Sequence, residues 1–366
     1  MLEYAEFLGE EREWSLHDLT LGDVNLIVGK NASGKSRTLN IIRDVAKAIS
    51  GDHVLKDGNS QLFFDNEGEE VEYILDFANS VVVQERYRIG ENTLLERDAT
   101  GKGKIFAEKL GKKIEFQVPP TTPVTAARRG DSVQHSFLNP LHQWASSIYH
   151  YPFGGTLGKN HHSAFSKDDP GPDPKDHRQV VRIFDHGRKQ FGEEYTDSIK
   201  GDFRSIGYPV DEIGLMDSPW DIAHSLSCLY VKESDLAGKT DQQSMSSGMF
   251  RALSVIVQTT YCIMADTPSC ILIDDIGEGL DFERSCAIID VLVSKAKDSS
   301  VQLIMSTNDR FVMNRVPIES WTVLQRQGSQ VNVVNYCNSR DLFDKFKFTG
   351  LNNFDFFATD YLHAHE

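Results

Sequence analysis

The stretch that most constrains the fold is GKNASGKS at residues 29–36, which matches the pattern G-x-x-x-x-G-K-[ST]. The apolar run VNLIV precedes it, as in a strand that is buried on both faces. The run SRTLNIIRDVAKAI follows, with apolar residues at helical spacing. A glycine-rich loop between a strand and a helix points backbone N–H groups and the positive end of the helix at an anion. The sequence therefore predicts a phosphate-binding loop and not an ordinary glycine turn.

Each residue type in this loop fits a role in nucleotide binding. Gly29 and Gly34 let the backbone curl tightly. Lys35 is expected to reach the β- and γ-phosphates, and Ser36 offers a hydroxyl to Mg²⁺. Lys30 is expected to face solvent without a role. The remaining residues predicted to contact the nucleotide are Asn31, Ala32, Ser33 and Arg37.

Composition limits the classes of protein to which the chain can belong. Its 366 residues suffice for one large or two ordinary domains, and its net charge of −16 gives no global basic surface for nucleic acid, although a local basic groove stays open. The five cysteines form no CxxC pair, as in reduced cytosolic thiols. The N-terminus lacks a signal peptide, and the apolar run Phe250–Ala265 is too short to span a bilayer. We expect a soluble, cytoplasmic protein with no membrane partner.

The sequence pattern changes twice along the chain. Residues 61–117 contain short alternating runs separated by Gly, Asn and Asp, which predict antiparallel strands and hairpins. Residues 154–178 read as a loop, and a mixed-charge helix is expected after them. In the last third, apolar strands alternate with helices such as Ser247–Ala265, which indicates a parallel sheet covered by helices. No segment sustains four heptads, so we expect no coiled-coil arm.

A second candidate anion site lies in SMSSGMFRAL, residues 244–253. Ser246 and Ser247 are good helix N-caps, and a long helix is expected to begin near Gly248. A serine-glycine backbone at a helix start favours an anion. The alternative is an ordinary helix cap.

The stretch CILIDDIGEGLD, residues 270–281, places two carboxylates after a buried strand. Asp274 is predicted to lie near the magnesium ion that Ser36 holds. Asp275 follows, where a base could polarise the attacking water. The alternative is an acidic loop at a strand end.

Four stretches together resemble the ATP-binding-cassette ATPases: Gly29–Ser36, Met245–Met249, Ile271–Asp281 and Leu303–Asp309. More narrowly, they resemble bacterial AAA-type ATP-binding proteins related to the chromosome-maintenance (SMC) and overcoming-lysogenization-defect ATPases. The resemblance implies an α/β P-loop NTPase head with a mixed sheet flanked by helices, an antiparallel β lobe and a helical insertion. It implies neither coiled-coil arms nor the TOPRIM nuclease domain, for which the residues after Asn308 are too few.

The resemblance also assigns motifs and a mechanism. SMSSG corresponds to the signature and EGLD, ending at Asp281, to the D-loop. Two copies would meet head to tail, with each ATP and its Mg²⁺ between Lys35 of one copy and Ser246–Gly248 of the other. The ATPase core would comprise residues 1–60 and 241–366, the latter including the C-terminal tail, and residues 61–240 would form the β lobe and the insertion.

Two positions depart from the family pattern. The catalytic position after Asp274 is usually Glu, and Asp275 is one methylene shorter. The switch position is usually His, and Asn308 can hydrogen-bond but cannot carry a proton at neutral pH. With Lys35, these residues form the predicted catalytic set. We therefore predict a slow ATPase.

Three biological functions are compatible with these motifs. The first is an ATPase whose nucleotide state gates a separate effector protein, in a bacterial anti-phage or toxin-type system. The second is a DNA-repair or DNA-end-binding ATPase, for which residues 102–113 and 125–129 are the candidate basic stretches. The third is a nucleotide-dependent scaffold with little turnover.

Three further assignments are left open by the sequence. Trp14 is a candidate adenine platform or a core residue, and Gln84 or Gln143 is a candidate magnesium sensor. The aromatic tail Phe346–Leu362 either docks a partner or packs on the core.

Overall fold

The computed structural model describes residues 1–9, 13–52, 57–66, 68–166, 171–221, 225–266, 270–297, 299, 301–359 and 361. It divides into two compact units, one formed by Met1–Ile148 with Pro317–Glu366 and the other by Tyr149–Val316. The sequence predicts three segments, residues 1–60, 61–240 and 241–366. Their boundaries differ from those of the two units, and the division into three segments stays a prediction.

The strands are, in chain order, β1 (Leu2–Leu8), β2 (Ser15–Thr20), β3 (Val24–Gly29), β4 (Gly58–Asn66), β5 (Glu69–Ala78), β6 (Val81–Ile89), β7 (Asn92–Arg97), β8 (Lys102–Ala107), β9 (Lys112–Gln117), β10 (Ile148–Pro152), β11 (Val210–Asp217), β12 (Ser227–Glu233), β13 (Thr240–Asp241), β14 (Cys270–Asp274), β15 (Gln302–Ser306), β16 (Trp321–Gln327) and β17 (Gln330–Asn335). The α-helices are α1 (Lys35–Ser50), α2 (Val124–Ala127), α3 (Asn139–Ser146), α4 (Val180–Ser205), α5 (Ser247–Met264), α6 (Phe282–Lys297), α7 (Arg310–Arg315), α8 (Arg340–Lys347) and α9 (Asn353–Ala358).

The first unit is built on one mixed sheet in the order β3-β16-β17-β2-β1-β4-β5-β6-β7-β8-β9. The pairs β3–β16 and β17–β2 are parallel. From β2 to β9 neighbouring strands are antiparallel, as the alternating runs of residues 61–117 predict. Helices α2 and α3 pack against α1 in this unit. The predicted combination of an α/β mixed sheet and an antiparallel lobe is confirmed.

The lobe's core follows from alternation along its strands. Side chains of successive residues point to opposite faces of a sheet, so one face collects the apolar positions. A row of directly opposed residues is almost completely buried on that face. Its members are Leu62, Tyr73, Tyr87, Leu95 and Ile105.

The second unit contains strands β10, β14 and β15 side by side, and β14 pairs with β15 in parallel. A separate antiparallel sheet comprises β11, β12 and β13. Helix α4 packs on α5, where Tyr195 donates a hydrogen bond to the Val257 carbonyl at 3.0 Å. Because parallel strands end at the same edge, the carboxyl ends of β14 and β15 bring Asp274 and Ser306 together.

The described part of the aromatic tail packs within the first unit. Phe346 and Phe356 are buried, and their rings meet edge to face at 4.9 Å between centroids. The Tyr361 ring contacts the same pair, edge to face with Phe346 and tilted relative to Phe356. These contacts favour core packing over docking for this stretch, although Phe348 remains 92% exposed. Residues 360 and 362 lie outside the described residues.

Candidate nucleotide-binding site

The phosphate loop joins β3 to α1, as its flanks predict. Gly29 ends the strand, Lys35 begins the helix, and Gly34 caps it in the left-handed conformation at φ 112°. A Cβ atom on Gly34 would lie 2.7 Å from Cζ2 of Trp14. Both the backbone angle and the packed indole therefore require glycine at this position.

Two cations hold the backbone of the loop. The Lys35 side chain is only 7% exposed, and its Nζ donates a hydrogen bond to the Gly29 carbonyl at 2.9 Å. Arg326, near the end of β16, donates from Nη1 to the Ala32 carbonyl at 2.8 Å. Ala32 has a positive φ of 65°, a conformation that costs a non-glycine residue about 1–2 kcal/mol. The loop thus has a defined shape in which its own carbonyls surround the lysine.

Beside the loop lies a cavity of about 800 Å³ that extends along α1. Trp14, Ser36, Arg37, Asn40 and Asp44 line it. The indole of Trp14 is 5% exposed, and the Arg37 guanidinium lies 5.3 Å from its ring centroid. The volume falls within the range of small-molecule sites, about 300–1,000 Å³. The structure therefore places Trp14 both in the core and at the edge of the predicted site, and its contact with adenine stays a prediction.

The two predicted carboxylates occupy the end of β14. Ser306, at the end of β15, donates a hydrogen bond to Asp274 Oδ1 at 2.5 Å. The same hydroxyl accepts a hydrogen bond from the backbone N–H of Asp275 at 3.0 Å. Asp275 has a positive φ of 56°, which turns the chain sharply after the strand. One buried serine thus fixes both the first carboxylate and the backbone of the second.

The predicted switch residue Asn308 is exposed, between two anchored neighbours. Thr307 donates from Oγ1 to the Ile276 carbonyl at 2.9 Å. Asp309 caps α7 by accepting from the Phe311 N–H at 2.6 Å. The backbone is therefore held on both sides of the Asn308 side chain.

The predicted signature segment begins α5. Ser246 is the N-cap, and its Oγ accepts a hydrogen bond from the Met249 N–H at 3.1 Å. Ser246 and Ser247 are exposed, whereas Gly248 is buried. A Cβ atom on Gly248 would lie 2.4 Å from the Gly279 carbonyl oxygen, so glycine allows the helix start to touch the EGLD loop.

Arg251, one turn into α5, connects three backbone segments. Its Nε donates to the Gly155 carbonyl at 2.9 Å and its Nη2 to the Gly154 carbonyl at 3.0 Å. Its Nη1 donates to the Glu278 carbonyl at 2.9 Å. The guanidinium thereby fastens the signature helix to the EGLD loop and to the loop that follows β10.

The predicted D-loop residue Asp281 lies at the start of α6. Its Oδ1 accepts a hydrogen bond from the Arg284 backbone N–H at 3.0 Å, and its carboxylate pairs with the Arg284 guanidinium. The backbone hydrogen bond is the main cause that lowers the pKa of the Asp281 carboxyl from its ordinary value. The carboxylate caps α6, and its contact with nucleotide stays a prediction.

The predicted residues gather in two clusters. Gly29, Asn31, Ala32, Ser33, Gly34, Lys35, Ser36 and Arg37 belong to the first unit; Asp274, Asp275, Ser246, Ser247, Gly248, Asp281 and Asn308 belong to the second. The hydroxyl of Ser36 and the carboxylate of Asp274 are both oxygen donors suited to Mg²⁺. Their joint coordination of Mg²⁺ stays a prediction.

Comparison with known proteins identifies the family. A family model described as "AAA domain, putative AbiEii toxin, Type IV TA system" matches residues 24–314. The chain belongs to this AAA family. No curated protein matches it in sequence.

The fold of this AAA protein is similar to that of solved Smc heads. One is the SmcHead bound to the C-winged helix domain of ScpA, with a TM-score of 0.52 and 15% identity over 91% of this chain and 96% of that chain. Another is the Smc head with an extended coiled coil bound to the C-terminal domain of ScpA from Pyrococcus furiosus, with a TM-score of 0.52 and 11% identity over 94% and 99% of the two chains. The predicted ABC/SMC-like P-loop fold is confirmed, without coiled-coil arms in the described part of the AAA protein.

Three basic residues in the two basic stretches of this AAA protein lie near acidic or backbone groups. Lys104 on β8 lies directly opposite Glu96 on β7 and Glu115 on β9. Lys113 forms an ion pair with Glu96 at 4.0 Å. Arg129 donates to the Ser50 carbonyl at 3.0 Å. These contacts account for three of the basic side chains, and the nucleic-acid alternative stays a prediction.

The candidate magnesium sensors lie on exposed positions, Gln84 on β6 and Gln143 on α3. All five cysteines are free thiols within the described residues. None of the helices that the structure describes has the length and apolar character needed to cross a membrane.

Three residues of the site were missed by sequence reasoning: Arg251, Ser306 and Arg326. Arg251 and Ser306 lie inside the recognised stretches SMSSGMFRAL and LIMSTND, so proximity to a motif was an available signal. Arg326 lies 294 positions from Ala32, and no sequence pattern marks it.

Proposed function

We propose that this chain is a slow ATPase that closes head to tail with a second copy around ATP and Mg²⁺, and in that state gates a separate effector protein. The observation that carries the proposal is the exposed start of α5, where Ser246 and Ser247 face solvent and Gly248 and Arg251 hold the helix on neighbouring loops. Such a helix start favours an anion, and it lies far along the sequence from the phosphate loop.

In the proposed mechanism the chain's own residues bind the nucleotide, orient its phosphates and polarise the attacking water. Lys35 leaves the Gly29 carbonyl for the β- and γ-phosphates, and the N–H groups of the loop hold the same oxygens. Ser36 and Asp274 are the proposed ligands of Mg²⁺, which would neutralise charge on the phosphates when bound. Asp275 positions the attacking water and accepts its proton.

Two features support slow turnover. Asp275 has a shorter side chain than Glu and a backbone fixed by Ser306, so its carboxylate reaches less far toward the water. A misplacement of about 1 Å can cost roughly a hundredfold in rate. Asn308 presents an amide that hydrogen-bonds without carrying a proton. The closed dimer therefore persists, which suits a timer or sensor.

The gating of a separate effector has two supports. The family description names a toxin of a toxin-antitoxin system. Two heads of similar fold were solved with another protein, ScpA, bound to them. We extend this arrangement to the present chain, with a bacterial anti-phage or toxin-type system as its setting.

Complementation between two inactive variants tests the dimer. Lys35→Ala removes the phosphate-binding cation, and Ser247→Arg blocks the start of α5. Each variant alone should neither dimerise with ATP nor hydrolyse it. Their mixture should regain hydrolysis, because one of its two sites combines an intact phosphate loop with an intact signature segment. If the mixture stays inactive while both variants remain folded, the head-to-tail arrangement is wrong.

Affinity purification of Lys35→Ala and Asp275→Ala from the native host tests the effector. The proposal expects one protein to be recovered with Asp275→Ala, which traps the ATP state, and lost with Lys35→Ala. Equal recovery with both variants would favour a constitutive scaffold. Recovery of nucleic acid in place of protein would favour the DNA-repair alternative.

A further inference from the structure

Trp220 is exposed to an unusual degree for a tryptophan. Its side chain is 64% exposed, whereas Trp321 is 1% exposed and Trp14 is 5% exposed. Tryptophan is a large, mostly apolar side chain that is highly buried on average in folded proteins. The exposure of the Trp220 indole therefore needs a physical explanation if the loop that carries it is held in place.

The loop that carries Trp220 is held by several contacts. Ser218 is fully buried, and its hydroxyl hydrogen-bonds His162 Nδ1 at 2.8 Å. The backbone N–H of Trp220 donates to the same hydroxyl at 3.3 Å, and the Ser218 N–H donates to the Leu226 carbonyl at 2.8 Å. The exposed indole thus stands on a structured turn after β11.

The same turn is joined to the signature segment. The indole Nε1 of Trp220 donates to Asp241 Oδ1 at 3.4 Å. That oxygen also accepts from the Gln243 N–H at 3.0 Å and the Ser244 N–H at 3.2 Å. The Met245 N–H donates to the Asp241 carbonyl at 3.0 Å. The Asp241 carboxylate therefore fixes the backbone that precedes Ser246 and also accepts the hydrogen bond from the indole.

Buried polar contacts also hold residues 242–245, the segment that precedes Ser246. Gln242 is fully buried, and its side-chain amide donates to the backbone carbonyls of Gly158, Lys159 and His161. The ammonium of Lys159 donates to the Met245 carbonyl at 2.5 Å. The indole and the helix start are consequently parts of one surface that hydrogen bonds connect.

We propose that Trp220 is a trans contact of the ATP-closed dimer: its indole packs against the face of a second copy that carries the phosphate loop. This inference rests on the proposed head-to-tail dimer. In that arrangement the surface beside Ser246 faces the surface beside the partner's phosphate loop. Trp220 is an exposed aromatic on the former surface, and tryptophan is enriched at the buried centres of interfaces.

Fluorescence quenching by acrylamide tests the inference on the full chain. Subtracting the signal of Trp220→Phe from that of the wild type isolates Trp220. With Mg²⁺ and a non-hydrolysable ATP analogue, the quenching constant of Trp220 should fall severalfold. Lys35→Ala should show no such protection. Sedimentation under the same conditions reports whether dimers have formed.

Truncation gives the energetic test. Trp220→Ala should weaken the analogue-dependent dimer by roughly thirtyfold or more, which is the loss expected when a central interface tryptophan is truncated. Analogue binding to the monomer should be unchanged. Phe348→Ala is the matched control, since it removes an exposed aromatic from the C-terminal tail, and it should leave the dimer unchanged.

The outcomes separate the inference from the function on which it rests. If dimers form and Trp220 remains as quenchable as in the free chain, the inference is overturned and the proposed function stands. If the wild type forms no dimer with the analogue at any concentration, the head-to-tail proposal itself fails. Should Trp220→Ala not fold, the quenching comparison with Trp220→Phe still decides.

Discussion

The phosphate loop and the predicted signature segment both lie at a helix start, but their backbones are held differently. In the phosphate loop, Lys35 and Arg326 donate to loop carbonyls, and Ala32 and Gly34 adopt left-handed angles. The signature helix is instead capped by its own Ser246. The first cluster is thus shaped around its own lysine, to which we assign phosphate binding, whereas the start of the signature helix is fixed by its N-cap and by contacts with neighbouring loops.

Arg251 sharpens this contrast. It binds carbonyls as Lys35 does, but its contacts join the helix to two other loops, whereas those of Lys35 stay within the phosphate loop. No proposed step requires it to move. We therefore assign Lys35 as a binding group that the loop keeps in place, and Arg251 as a positioning residue for the signature segment.

The largest expected effect is on nucleotide binding by the phosphate loop. Lys35→Ala should weaken ATP affinity by roughly 100-fold or more, because removing one partner of a buried charge pair costs about 2–5 kcal/mol. Titration calorimetry measures this. The matched control is Lys30→Ala in the same loop, where affinity should change less than about threefold. Equal losses in the two variants would show that the loop attracts ATP by general charge only.

The second effect is on hydrolysis and leaves binding intact. Asp275→Asn should lower kcat by roughly 100-fold, as expected on loss of a general base, with ATP affinity retained. Phosphate release under saturating ATP gives kcat. The wild type itself should turn over more slowly than about 10 s⁻¹, the median for enzymes. A faster wild type, or an Asp275→Asn variant with full activity, would contradict the assigned role of Asp275.

The third effect separates the two clusters directly. Arg251→Ala should weaken ATP-dependent dimerisation by about tenfold, because hydrogen bonds from a charged group contribute about 1.5–3 kcal/mol each and only part of that loss reaches the dimer. ATP binding to the monomer should not change. Sedimentation and calorimetry on the same samples measure the two quantities. Arg251→Lys keeps one charge but not the three-way geometry, and should fall between wild type and Arg251→Ala.

The smallest effect concerns the contact between Arg326 and Ala32. Arg326→Ala should weaken ATP binding by about fivefold, since an exposed hydrogen bond contributes about 0.5–1.5 kcal/mol. Ala32→Gly removes the cost of the left-handed angle, so the double variant should recover most of the affinity. If each substitution instead lowered the ATP affinity and the two losses added in the double variant, Arg326 would not act through the loop conformation.

The sequence by itself determined the features that depend on near neighbours along the chain. GKNASGKS between an apolar strand and a helix predicts the phosphate loop, because its glycines, its lysine and its helix start act within eight residues. The alternating runs of residues 61–117 predict the antiparallel lobe, and Ser246 predicts its helix cap. Periodicity and capping are local properties, so sequence reasoning found them.

Only the tertiary structure decided which distant groups meet. Ser306 lies 32 positions from Asp274, and Arg326 lies 294 from Ala32. The strand register sets Lys104 opposite Glu96 and Glu115, a pairing that the sequence alone did not show. These contacts depend on which strands lie side by side and how helices pack on them. Burial of the whole core determines which elements lie side by side. No short sequence pattern around any one of these residues predicts that arrangement.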